Sequence, residues 1–150
     1  MSPTWSKALM LPAADQRLLF ESLTLILGFR VGLRVLSFDA LRRLSNRWAA
    51  CRKGDGNLFR TESAKKVPVP FSTARIVWAV AAVGARVPGT RCLVEALAAE
   101  IMLRRHGHAA TLKLGVRLDA LKLDAHAWVE CDGVAVIGAS SRLEEYAVLS

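Results

Sequence analysis

The sequence predicts an α+β fold in which helices come first and an antiparallel sheet comes last. Three observations predict it. Apolar residues recur at helical spacing as far as residue 106. From Ala110 onward they alternate with polar residues, which is the period of a strand. Asp132-Gly133, between two such runs, is a strong signal for a two-residue hairpin turn.

Residues 13–36 form the first expected helix. Asp15 suits its start as a cap, and Leu18, Leu19, Ser22, Leu23, Ile26, Phe29 and Val31 fall near one broad stripe. A second helix, over about 38–51, has Asp39 near its start, Leu41 and Leu44 inside, and Arg42, Arg43 and Arg47 on its polar side. Gly54, Asp55 and Gly56, followed by Lys65, Lys66, Pro68 and Pro70, mark residues 53–70 as a connector. A third helix over 73–85 carries Ile76, Val77, Trp78 and Val80 and stops before Pro88-Gly89. The fourth starts near Arg91 with Thr90 as its N-cap, runs to His106 and ends on Gly107 as a glycine cap. It is apolar almost all round, which predicts a central, buried helix. Strands are expected around 110–116, 125–131 and 134–138, with a last one over 146–149. The organisation is one domain: a helical front (1–52), the connector (53–70) and a core (71–150). A chain of 150 residues can bury roughly two-thirds of its unfolded surface and needs no disulfide or metal to fold.

The three cysteines, Cys51, Cys92 and Cys131, are odd in number and form no CxxC pair, and no secretory signal is visible. A reduced, cytoplasmic protein is the simplest expectation. The most apolar stretch, residues 18–29, is too short and too polar to span a bilayer, although it could lie on a membrane surface or under another protein. The net charge of +8 belongs to residues 1–75, where 13 Lys+Arg face 5 Asp+Glu; residues 76–150 hold 8 of each. No zinc-finger spacing, basic zipper or RNP-like aromatic run accompanies this charge, so nucleic acid is not expected. An acidic protein partner, membrane-surface contact and a plainly solvated basic face all stay open.

Cys92 falls in the first turn of the buried helix, where unpaired amides, the helix dipole and neighbouring Arg91 favour the thiolate. The bland alternative is a small inert hydrophobe. His126 lies on a strand, sharing a face with Trp128 and Glu130, while Ala125, Ala127 and Val129 point the other way. A histidine on a sheet against a cysteine at a helix start is the thiol–imidazole pairing of many cysteine hydrolases, but a lone histidine is more often structural. His106 and His108 lack further ligands nearby in sequence, so a structural role at a helix end is expected rather than a metal pair. Glu95 is expected to be structural, and Cys51 and Cys131 bystanders. No ATP-binding loop is visible, and no cofactor or metal is expected.

The runs PGTRCLVEAL, LRRHGHAATLKLGVR and AHAWVECDG, in that order behind the helical front LPAADQRLLFESL, resemble the transglutaminase-like peptidase domain of lasso-peptide biosynthesis. Members of that family are leader peptidases, often called B proteins, related to the microcin J25 processing protein. The resemblance covers roughly residues 10–150. It implies a papain-like or transglutaminase-like core, a central helix packed on an antiparallel sheet, with Cys92 as nucleophile and His126 as general base. It also implies three partners: a precursor peptide, a separate winged-helix leader-recognition protein, and an ATP-dependent cyclase similar to asparagine synthetase. The rivals are a non-catalytic interaction protein with a vestigial Cys–His site and an acyl transferase of transglutaminase type.

The family usually completes a triad with an aspartate on the strand after the hairpin, and here the sequence departs. A two-residue turn places position 126 opposite position 139, and Gly138, Ala139 and Ser140 are not acidic. Asp132 is at the turn, about 20 Å along the strand from His126, and Glu130 is roughly 13 Å away. A backbone carbonyl or Ser140 must therefore orient His126, or the site works as a bare dyad.

Overall fold

The computed structural model describes residues 11–35, 71–90, 92–119 and 122–149, with positions 37, 39, 40, 42, 43 and 47. Most of the helix expected over 38–51 lies outside them, although its described positions are helical; the connector, Cys51 and Arg91 also lie outside. The elements are α1 (Ala13–Val35), α2 (Thr73–Gly84), α3 (Cys92–Arg105), β1 (Ala110–Asp119), β2 (Lys122–Cys131), β3 (Val134–Ile137), a 3₁₀ turn (Leu143–Glu145) and β4 (Ala147–Val148). This is the α+β order expected. The sheet is antiparallel, in the order β3-β2-β1-β4.

The largely apolar sequence of α3 explains its place. It packs on α1 and α2 on one side and on β1 and β2 on the other, and Val94 and residues 96–103 are buried. Ala110, Leu112, Ala127, Val129, Cys131 and Ile137 form the sheet side of this core. The helix ends as the glycine predicts: Gly107 has φ +89°, and the amides of Gly107 and His108 donate to the carbonyls of Arg104 and Leu103.

Three local expectations are corrected. Asp15 is not a cap: it is buried inside α1 and accepts two hydrogen bonds of 2.8 Å from Arg75, a bidentate pair joining α1 to α2. Thr90 does not immediately precede the helix, which begins at Cys92, and its hydroxyl instead donates to the Val87 carbonyl. Val31 is 62% exposed, because it lies on a second apolar stripe of α1 with Phe20, Leu27 and Val35 rather than on the buried one.

Gly115 is the tight point of the outer sheet face. A Cβ there would meet the Trp128 ring at 2.8 Å and Tyr146 Cβ at 2.8 Å. Two aromatic side chains cannot both withdraw, so Gly115→Ala is expected to lower stability by about 1–3 kcal/mol. A wild-type midpoint in chemical denaturation would contradict this packing.

Candidate active site

Cys92 opens α3 as a free, partly buried thiol against the core. In the first helical position its amide has no partner within the helix. Leu112 N donates to Glu100 Oε1 at 3.3 Å, which ties α3 to β1. The short link after Arg105 makes the two elements run in opposite directions. Eight residues back along the helix is about 12 Å, or about 3.6 residues along β1. That reaches Gly115 or Val116, and Gly115 pairs with His126. Rise alone, for a helix running along the strand, carries Cys92 to about the level of Gly115 and so of His126.

Cys92 and His126 do not share a face. Ala127 and Val129 point into the helix-side core, and strand alternation sends His126 and Trp128 to the other side. No hydrogen bond joins Cys92 to His126 among the described residues. The edge of β2 beside His126 has no ladder partner, since β3 pairs only at Val129, Glu130 and Cys131, but Gly138 packs against it at Ala127.

The hydrogen bond of His126 is directed toward that edge. Its Nε2 donates to the carbonyl oxygen of Gly138 at 2.8 Å. A carbonyl only accepts, so Nε2 carries the proton and Nδ1 of the neutral ring keeps its lone pair. A backbone carbonyl thus takes up the orienting role for which the sequence offered either a carbonyl or Ser140. The register is corrected by one residue: the Asp132-Gly133 turn forms as expected, with φ of +51° and +79°, but a bulge between Val129 and Glu130 shifts the pairing from Glu130↔Ala135 to Val129↔Ile137.

Trp128, expected on the face of His126, stacks on it at 6.2 Å, and a second neighbour carries no sequence signal: the Tyr146 ring lies 5.6 Å from the imidazole. Tyr146 donates its hydroxyl to Asp124 Oδ2 at 2.6 Å, and Arg117 Nε donates to the same oxygen at 2.9 Å. Arg117 also pairs with Glu145 and lies over the Tyr146 ring. This network fastens the C-terminal turn beside His126. Strand parity alone would have put Asp124 on the face of His126 had the strand been started at Lys122. Tyr146, twenty residues on, left no such signal.

The network is electrostatically consistent. The Tyr146 hydroxyl and the Arg117 guanidinium hold the Asp124 carboxyl below its ordinary range, and Arg142, with Arg117, does the same for Glu145. Asp124 in turn raises the Tyr146 phenol. Groups with lowered folded pKa values contribute stability above their unfolded values and lose it as pH falls through the folded ones. The C-terminal turn should therefore be fastened at neutral pH and released in acid. Tyr146→Phe is expected to raise the Asp124 pKa toward its ordinary carboxylate range in a carbon-13 NMR titration; an unchanged value would contradict the hydrogen bond.

The other candidates fall to structural roles. His108 Nε2 donates to the Phe71 carbonyl at 2.8 Å, so its Nδ1 accepts from Thr73 Oγ1 at 3.1 Å. His106 is buried, with Nε2 3.4 Å from Glu21 Oε2. Among the described residues no group of three or more His, Cys, Asp or Glu could hold a metal ion. Glu95 packs against Gly84, where a Cβ would come within 2.3 Å of Oε1, and burial pushes its carboxyl up in pKa. Cys131 is a core residue whose thiol is pushed up by burial. Among the described residues no helix is long and apolar enough to cross a membrane.

The sequence model of the transglutaminase-like superfamily matches residues 25–150 of this chain. No curated protein and no solved structure gives a significant match.

Proposed function

Because the chain belongs to the transglutaminase-like superfamily, we propose that it is a cysteine peptidase that removes the leader from a lasso-peptide precursor. The observation that carries the proposal is the state of His126. Its Nε2–H is held by Gly138, its Nδ1 is left as a base, and by rise alone it falls at about the level of the helix start that bears Cys92. The order of the Pro-Gly-Thr-Arg-Cys-Leu and Ala-His-Ala-Trp-Val-Glu runs supports the same reading.

In the mechanism, His126 Nδ1 takes the Cys92 proton and the thiolate attacks the carbonyl carbon of the last leader residue. The Cys92 amide, unpaired in its helix, donates to the developing oxyanion. The C–N bond breaks, and His126 returns the proton to the departing amine of the core peptide. Water then attacks the thioester, freeing the leader acid and restoring the thiol. The core amine is the group that an asparagine-synthetase-like cyclase would join to a side-chain carboxyl with ATP. Leader recognition is assigned to a separate winged-helix protein. The exposed apolar stripe of α1, Phe20, Leu27, Val31 and Val35, is a candidate surface for it.

The rival reading, a non-catalytic interaction protein with a vestigial pair, draws on the separation of Cys92 and His126 across the sheet. Mass spectrometry of precursor incubated with this chain and the recognition protein, with an added primary amine, separates the readings. Leader acid and free core amine are expected. A leader joined to the added amine would make it an acyl transferase, and intact precursor would favour the rival.

A further inference from the structure

A cavity of about 500 Å³ opens beside the start of α3. Arg30, Leu33 and Arg34 wall it from the last turns of α1, Gly89 from the turn before α3, and Leu93 and Val94 from the residues just after Cys92. Two of its walls are thus the residues that follow Cys92 in the chain.

Among the described residues the lining holds two cations and no carboxylate. Arg75, Arg105 and Arg117 all pair with acids, whereas neither Arg30 nor Arg34 is in an ion pair among the described residues. Arg30 is anchored: its Nη1 donates to the Pro88 carbonyl, and the turn continues through Gly89, whose φ of +72° favours glycine. A guanidinium fixed by one of its five donors gives up little further freedom when another binds a carboxylate. Leu33, Leu93 and Val94 supply an apolar wall beside the charge.

We infer that this cavity is a substrate subsite that takes an acidic side chain, next to an apolar one, from the precursor segment around the scissile bond. The inference rests on the peptidase reading for its biological substrate, but its test does not require cleavage. The rate of Cys92 alkylation by iodoacetamide is measured by peptide mapping, with acetyl-Leu-Glu-Leu-amide, its Gln analogue or its Lys analogue present. The Glu peptide should protect Cys92, with affinity about tenfold above the Gln peptide, the size of one charge-assisted hydrogen bond. Arg34→Glu should abolish that preference and make the Lys peptide the better protector. Equal protection by the Glu and Gln peptides, no protection by any of them, or an unchanged order in Arg34→Glu would overturn the inference. An unchanged order with weakened binding of the recognition protein would do so too, and would move Arg34 to the docking surface. Failure to cleave precursor with charge-selective protection intact would overturn the peptidase reading alone.

Discussion

Cys92→Ala should abolish leader release, by about 10⁴-fold or more, while leaving the fold in place. The thiol is the only group in the mechanism that forms a bond to the substrate, so no neighbour substitutes for it. Its structural share is small: Cys92 is partly buried at the rim of the core, and alanine is well suited to a helix start packed this way. Circular dichroism and the melting midpoint should stay close to wild type. His126→Ala should cost activity on the same scale, because the thiol then has no base and the departing amine no acid. The double variant should be no worse than either single one, since the two groups act as a unit. Independent, additive losses would mean that the two side chains do not form one site. Cleavage at wild-type rate by Cys92→Ala would end the mechanism.

Gly138→Ala is the second large effect, and it acts through the backbone. Gly138 has φ +70°, and a Cβ there would lie 2.7 Å from the Ala127 carbonyl oxygen and 3.1 Å from Trp128 Cβ. Neither obstacle is a flexible side-chain end. Strain and overpacking together should cost about 2–4 kcal/mol, or roughly 5–15 °C in melting midpoint for a chain of this size. Relief requires Gly138 to move, and its carbonyl is what holds His126 Nε2. A displacement near 1 Å in such a positioning group can cost about 10²-fold in rate. Stability and activity should therefore fall together. A variant as stable as wild type would contradict the φ and the contact; a destabilised variant with full activity below its melting range would show that the carbonyl does not position the ring.

Much of this fold was legible because the signals are local and repeated. The apolar run of α3, its Gly107 cap and the Asp132-Gly133 turn each state their geometry within a few residues. Cys92 and His126 were legible as residues for the same reason. Asp15 was misread because a carboxylate near a helix start serves equally as a cap or as a distant arginine's partner, and only the packing of α2 brings Arg75 to it. The bulge at Val129/Glu130 was invisible, since it inserts one residue without changing the alternation that a strand shows in sequence. The Tyr146–Asp124–Arg117 network joins three separate stretches of chain, and no pattern in any one of them records the others. The face of His126 was predicted from period-two alternation; that the Cys92 helix covers the opposite face is a fact of packing.

The central claim is that the Cys92 sulfur becomes bonded to the leader during turnover. Precursor, recognition protein and this chain are mixed, quenched in acid within the first turnovers, and peptide-mapped by mass spectrometry. The account predicts the leader attached as a thioester to the peptide containing Cys92, lost on treatment with hydroxylamine and absent from Cys92→Ala. Leader release that proceeds without any adduct in the Cys92→Ala protein, or an adduct on another residue, would contradict it.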